Sequence, residues 1–275
     1  MKTIKFLVIL TLCSAGFLLS CEKIDKDLIL ENADWRFPDR GGVAFMRIFH
    51  AHAANSPSLS GTTGPQVFIY ANGQKLNHAN LGFGSAWPVT SVYATIPAGP
   101  TAFDIVMARV AGTPLQPAPR AGDTLAKINY TTTAGRYYSM FLVDTAPTMR
   151  VVVFDDAPIF PPIGKYRIRL VNMTANPKDT LNLYSRLEAR NIIVNIAPKQ
   201  NSDFLERDVP PVTVSDTLEL RKNGQTVATY TWGTTSSPPT YTPFSPVSKR
   251  IYTVVARGKD GLAGKLPQGV IITNY

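Results

Sequence analysis

The feature that most constrains this chain is the way its apolar residues are punctuated. From residue 43 onward, no stretch sustains an apolar stripe at helical spacing; short runs of Val, Ile, Thr, Tyr and Phe recur between Gly, Pro and Asn. Runs of that length and composition bury one face at a period of two and read as strands. With 22 Pro and 19 Gly in 275 residues, a helical bundle is excluded. Apolar residues make up 44% and charged residues 17%, which supports a packed core and rules out bulk disorder. Two Cys and three His argue against a disulfide scaffold or a His- or Cys-rich metal site. At roughly 100–150 residues per domain, the length accommodates two domains.

The expected strands are 43–50, 66–71, 74–78, 88–95, 102–110, 124–130, 137–143 and 150–154, then 166–173, 180–184, 191–196, 202–205, 213–221, 225–232, 250–256 and 269–273. Asn72-Gly73 and Asn223-Gly224 are hairpin signals, because both residues tolerate the positive φ of a type I′ turn. Residues 155–164 are Pro-rich and read as a stiff linker, while 234–248 read as an exposed loop.

The two strand sets look like one repeated unit. Met46-Arg47-Ile48-Phe49 aligns with Tyr166-Arg167-Ile168-Arg169, Val67-Phe68-Ile69-Tyr70 with Leu181-Asn182-Leu183-Tyr184, and Tyr138-Ser139-Met140-Phe141 with Tyr252-Thr253-Val254-Val255. The repeat length is that of an immunoglobulin-like sandwich. The expectation is therefore an all-β chain of two tandem immunoglobulin-like antiparallel β-sandwich domains, 43–157 and 164–275.

The N-terminus carries an address. Lys2 and Lys5 precede an apolar run over 6–19, shorter than a comfortable membrane span, that ends in Leu18-Leu19-Ser20-Cys21. This resembles the lipobox of bacterial lipoproteins and implies cleavage after a signal peptide (1–20), acylation of Cys21 and a Gram-negative outer membrane, on its surface or its periplasmic side. The alternative is an ordinary secretory signal in which Cys21 is incidental. Residues 21–42 read as a lipid-anchored tether. Multiple acyl chains hold a protein on a membrane durably. The scatter of Glu22, Asp25 and Asp27 weakly resembles a surface-export signal; a merely solvated tether is the competing reading.

Further motifs form an ordered set. Arg47-Ile48-Phe49-His50-Ala51 is followed by Val67-Phe68-Ile69-Tyr70-Ala71-Asn72-Gly73, then Phe83-Gly84-Ser85, Ile96-Pro97-Ala98-Gly99 and Ala134-Gly135-Arg136-Tyr137-Tyr138-Ser139-Met140-Phe141-Leu142-Val143. The set resembles domain of unknown function 4397, closely over 43–157 and loosely over 164–275. The resemblance implies a β-sandwich fold in an envelope setting. It carries no established catalytic residues.

Chemistry is sparse. His50 and His52 share one strand face, but two imidazoles fall short of a metal site; His50 reads instead as a hydrogen-bonded strand cap. Asp155-Asp156 reads as a solvated turn or a cation contact at the domain junction. No nucleophile elbow or phosphate-cradling Gly loop is present. Neither a cofactor nor a resident metal is expected, nor an enzyme. Basic charge concentrates late: residues 43–157 hold 7 basic and 5 acidic residues, residues 164–275 hold 15 and 8. Arg167 and Arg169 share a strand face there. With Trp87, Trp232 and Tyr241 they are the candidate ligand contacts, against the alternatives of a solubilising surface and of Trp rings that plug sandwich ends. The functional expectation is a non-catalytic surface binding or adhesion module for glycan or protein, membrane-held through its lipid, with no nucleic-acid partner. The alternative is a periplasmic scaffold subunit of an envelope assembly.

Overall fold

The computed structural model describes residues 41–53, 65–89, 93–108, 122–145, 148–211, 213–232, 241–262 and 264–274. Every regular element among them is a strand. In chain order these are β1 (Val43–His50), β2 (Val67–Ala71), β3 (Gln74–Lys75), β4 (Ala86–Trp87), β5 (Ala94–Pro97), β6 (Gly99–Met107), β7 (Thr124–Thr132), β8 (Tyr137–Val143) and β9 (Arg150–Asp155), followed by β10 (Lys165–Thr174), β11 (Leu181–Ser185), β12 (Arg190–Ile196), β13 (Gln200–Asn201), β14 (Leu205–Asp208), β15 (Asp216–Lys222), β16 (Thr231–Trp232), β17 (Thr242–Phe244), β18 (Ile251–Gly258) and β19 (Gln268–Thr273). The expected signal, Cys21 and residues 22–40 of the expected tether lie outside the described residues.

The strands build four sheets. The first inner sheet runs β4-β1-β8-β9, with β5 also on β1, and the first outer sheet runs β3-β2-β6-β7. The second inner sheet runs β13-β10-β18-β19-β16, with β14 also on β10, and the second outer sheet runs β12-β11-β15-β17. Pairing is antiparallel except for β1 with β8, β10 with β18, and β16 with β19. The Asn72-Gly73 turn forms as expected, with φ of 48° and 79° and Tyr70 opposite Lys75. Asn223-Gly224 also turns, but the chain beyond it crosses to β16, which pairs β19 rather than β15. Thr242–Phe244, expected as loop, forms β17 against β15, with Phe244 buried opposite Asp216.

Alternation along the strands sorts side chains into three cores. Ala44, Met46 and Ile48 of β1 and Met140 and Leu142 of β8 meet Ile69, Phe103 and Ile105 between the first inner and outer sheets. Ile168 and Leu170 of β10 and Val254 of β18 meet Leu183, Leu218, Leu220, Tyr230 and Trp232 between the second pair. The intervening residues point the other way and form a third core between the two inner sheets: Phe49, Ala51, Phe141, Val143, Val171, Met173, Val255 and Ile272. Each Val, Leu, Ile, Phe or Met side chain among them contributes about 1.5–3 kcal/mol on burial. Both faces of β8 and β18 are covered, and every residue in them is buried. Their near-continuous apolar sequence follows from that position.

The parallel registers set Met46 opposite Tyr138 and Ile168 opposite Tyr252. If Tyr138 corresponds to Tyr252, then Met46 corresponds to Ile168, Arg47 to Arg169, and His50 to Asn172. The sequence alignment of these strands is thus shifted by two residues.

Candidate binding face

The side chains singled out in the sequence occupy three different environments. Trp87 lies in β4, half-buried against the first core. Trp232 is 5% exposed and packs in the second core beside Gly269, where a methyl group would stand 2.8 Å from its ring. Both rings therefore plug cores. Arg167 sits on the β10/β14 ladder, 3.0 Å from Glu206, whose carboxyl is held below its usual range chiefly by that hydrogen bond. Tyr241 alone of the five is a large exposed aromatic, at 42%.

Arg169 is inside the protein, at the seam between the inner sheets. Its guanidinium pairs with Asp156 at 2.7 Å, with side-chain exposures of 1% and 0%. It also donates to Thr253 Oγ1 at 3.0 Å and stacks over Phe204 at 4.5 Å. Ser139 and Tyr93 hydroxyls each donate to Asp156 Oδ2 at 2.5 Å, and Asn274 donates to the Tyr93 oxygen at 3.1 Å. Burial, then the Asp156 charge, drives the Tyr93 phenol upward. Lys199 on Asp144 at 2.6 Å is a further tie between the strand sets. Of the adjacent carboxylates, Asp155 is exposed and takes Arg136 at 2.8 Å, whereas Asp156 is buried. The pair is therefore split between solvent and seam, and Asp156 makes a cation contact between the strand sets.

Among the described residues, no group of three or more His, Cys, Asp or Glu is placed to hold a metal. His52 Nδ1 lies 3.0 Å from the Val143 carbonyl. Neither ring nitrogen of His50, expected to be hydrogen-bonded, makes a hydrogen bond of good geometry, although the Pro65 carbonyl acts on the ring.

The arrangement with the most binding capacity is on the outward face of the second outer sheet. Leu181, Leu183, Leu218 and Leu220 face the core at 0% exposure, so alternation turns Asn182, Tyr184, Glu219 and Arg221 outward. Register places Tyr184 opposite Glu219 and Asn182 opposite Arg221. Arg221 donates from Nε and Nη2 to Glu219 Oε2, at 2.9 and 2.7 Å, and its guanidinium lies 3.3 Å from the Tyr184 ring centroid. Arg186 donates to Glu219 Oε1 and lies 4.8 Å from the Tyr241 ring. The result is a row, Tyr184–Arg221–Glu219–Arg186–Tyr241, with net charge +1. Glu219 is 2% exposed, so its carboxylate holds both guanidinium groups in place. Each guanidinium has five donors and spends only part of them on Glu219, which leaves N–H groups to meet hydroxyl or carboxylate oxygens beside two aromatic rings.

Sequence reasoning named Tyr241 as a candidate contact and Arg221 as part of a basic patch, but did not bring them together with Tyr184, Glu219 and Arg186. The alternation Leu218-Glu219-Leu220-Arg221 contains the face, but only the β11/β15 register brings Tyr184 to it. A family profile described as a domain of unknown function, DUF4397, matches residues 44–184, from β1 to Tyr184 itself. Among curated proteins, none matches the sequence.

Proposed function

The chain belongs to the domain of unknown function 4397 family, and on that premise we propose that it is a non-catalytic binding module of the bacterial envelope that takes a glycan on the outward face of β11 and β15. In this reading Cys21 is acylated and the chain carries two tandem immunoglobulin-like sandwiches on a tether, at the outer membrane. The equivalent pairings β1/β8 and β10/β18, β8/β9 and β18/β19, and β2/β6 and β11/β15 support the tandem arrangement. The observation that carries the glycan reading is the Tyr–Arg–Glu–Arg–Tyr row, which offers planar apolar faces and fixed donors side by side. Its net positive charge favours acidic sugars.

The test is binding of the full chain, in detergent, to polygalacturonate with a neutral glucan as comparison. Tyr184→Ala and Arg221→Met each weaken binding at least tenfold, which is about 1.4 kcal/mol, and leave the unfolding temperature within a few degrees. Failure to bind either polysaccharide, or binding that the variants leave intact, overturns the reading.

A second reading, a periplasmic scaffold subunit, draws on β7, which stands at the end of its sheet with nine residues of edge. Such an edge accepts a further strand. Protease shaving of intact cells separates the two readings: loss of the protein supports surface binding, and loss only after outer-membrane permeabilisation supports the scaffold.

A further inference from the structure

One end of the molecule joins exposed apolar side chains to unpaired cations. It is located by β1 and β10, which run the same way across the seam. Near their starts, Arg47 Nη1 donates to the Thr273 carbonyl at 3.1 Å; Thr273 lies opposite Tyr252, and Tyr252 opposite Ile168. Near their ends, Asp144 pairs with Lys199 at 2.6 Å. Asp144 O accepts from Ala53 N just beyond β1, and Lys199 N donates to the Asn172 carbonyl of β10. Both strands therefore begin at one pole. Gly41, the first described residue, is there too, with Gly42 O accepting from Ala98 N at 2.9 Å.

Three loops meet at this pole around the start of β10. Gly164 N donates to Ser248 Oγ at 2.8 Å, Lys249 N to the Lys165 carbonyl at 2.7 Å, and Val209 N to the Gly164 carbonyl at 2.8 Å. Ile163 and Val247 each adjoin one of these bonded residues, and they are 81% and 56% exposed. Ile159, on the segment that crosses from β9 to β10, is exposed as well. Single exposed apolar residues are ordinary, but a group on neighbouring loops marks a contact surface. The charges beside them leave a positive remainder. Lys165 and Arg167 are matched by Glu206 and Asp208, and Arg136 by Asp155. Lys249 and Arg250 are exposed and form no ion pair among the described residues.

We propose that this pole, through Ile163, Val247, Lys249 and Arg250, docks on the surface of a bilayer that carries anionic headgroups. Apolar side chains at such a tip enter the boundary between headgroups and acyl chains, and each cation near an anionic leaflet adds attraction. A second copy of the pole would instead set Lys249 and Arg250 against like charges, which opposes self-association. The path of the chain favours the same occupant: it enters the fold at this pole, and Cys21 stands only twenty positions before Gly41. The inference rests on the acylation of Cys21 for the nearness of the bilayer. It does not depend on the Tyr184–Tyr241 row or on a glycan.

The test is flotation and hydrogen exchange of the full chain on vesicles of phosphatidylcholine, alone or mixed with phosphatidylglycerol. The lipid anchor holds the chain on both; the pole engages only the anionic ones. There the amides of 163–165 and 247–250 exchange about fivefold or more slowly than on neutral vesicles, while those of the Asn223-Gly224 turn, beyond the far end of β15, are unchanged. Ile163→Ser with Val247→Ser, and separately Lys249→Gln with Arg250→Gln, remove most of the slowing and leave the unfolding temperature within a few degrees, because the four side chains are exposed. Unchanged exchange in a chain that floats with both kinds of vesicle overturns the proposal and leaves the anchor standing. A chain that floats only with anionic vesicles overturns the acylation of Cys21 and supports the pole; one that floats with neither overturns both. Slowing that the double variants retain also overturns the proposal.

Discussion

Acidification should destabilise this protein well before its carboxylates titrate, and His50 is the reason. The imidazole is 0% exposed at the end of β1. Burial, then His52, pushes its pKa down to about 3; Lys265 adds to the fall, while the Pro65 and His50 carbonyls oppose it. An unfolded chain returns the group to about 6.5. Between those values the unfolded state holds a proton that the folded state does not, so stability rises with pH through the window from about 3 to 6.5 and is complete above it. At pH 5 the loss relative to pH 7.5 is about 2 kcal/mol from this one group. For a chain of this size that is a fall of about 4–8 °C in unfolding temperature. His52 is lowered by the same cause and shifts stability in the same direction, so the diagnostic quantity is a difference between proteins. Urea unfolding of wild type and His50→Leu at pH 7.5 and pH 5 measures it. Leu keeps an apolar side chain of similar size and cannot titrate, so the variant should lose about 2 kcal/mol less on acidification. Equal acid losses in the two proteins, within about 0.5 kcal/mol, would refute the reasoning.

Three further outcomes follow from the packing. Asp156→Asn leaves Arg169 buried without its counter-charge and should cost about 3–5 kcal/mol in urea unfolding, whereas the double variant Asp156→Leu/Arg169→Met should recover most of it. Gly84→Ala meets a φ of 83° and the Arg257 guanidinium together; it should lose at least the ~1 kcal/mol of the left-handed backbone, and adding Arg257→Met should relieve the steric share, read by calorimetry. Leu142→Ala, at 0% exposure in the first core, should cost about 2–5 kcal/mol.

What was legible in the sequence is what alternation and turn chemistry control. The boundaries of β1 and β8 coincide with the expected ones because Gly, His, Arg and Asp bracket their apolar runs. If Tyr138 corresponds to Tyr252, the sequence alignment of β1 with β10 slips by two residues, and for a physical reason: a strand pattern has period two, so a slip of two changes no residue's face. Arg167 and Arg169 match Arg47 equally well on sequence, and only the β10/β18 register distinguishes them. The same blindness hid the candidate face, since Tyr184 and Glu219 lie 35 positions apart in the chain and meet only through sheet pairing. The burial of Asp156 was illegible too, because its sequence neighbour is solvated and the counter-charge comes from β10.

The seam between the inner sheets has a consequence in symmetry. Phe49, Phe141 and Ser139 gather there with Val171, Val255 and Thr253, which hold the same registers in the β10/β18 pair as the former do in the β1/β8 pair. By the same registers Asp156 corresponds to Asn274. A contact between faces of matching register has the form of an isologous one, which closes on itself, whereas a head-to-tail one would propagate. The chain therefore covers the seam faces of both inner sheets internally and leaves outer faces and the β7 edge to meet other molecules. One charged asymmetry, Asp156 against Asn274, bears on the pairing. Two copies of the second strand set, joined through the same face, would bury two Arg169 side chains against two Asn274 and have no carboxylate between them. The Asp156/Asn274 difference thus makes the second strand set depend on the first.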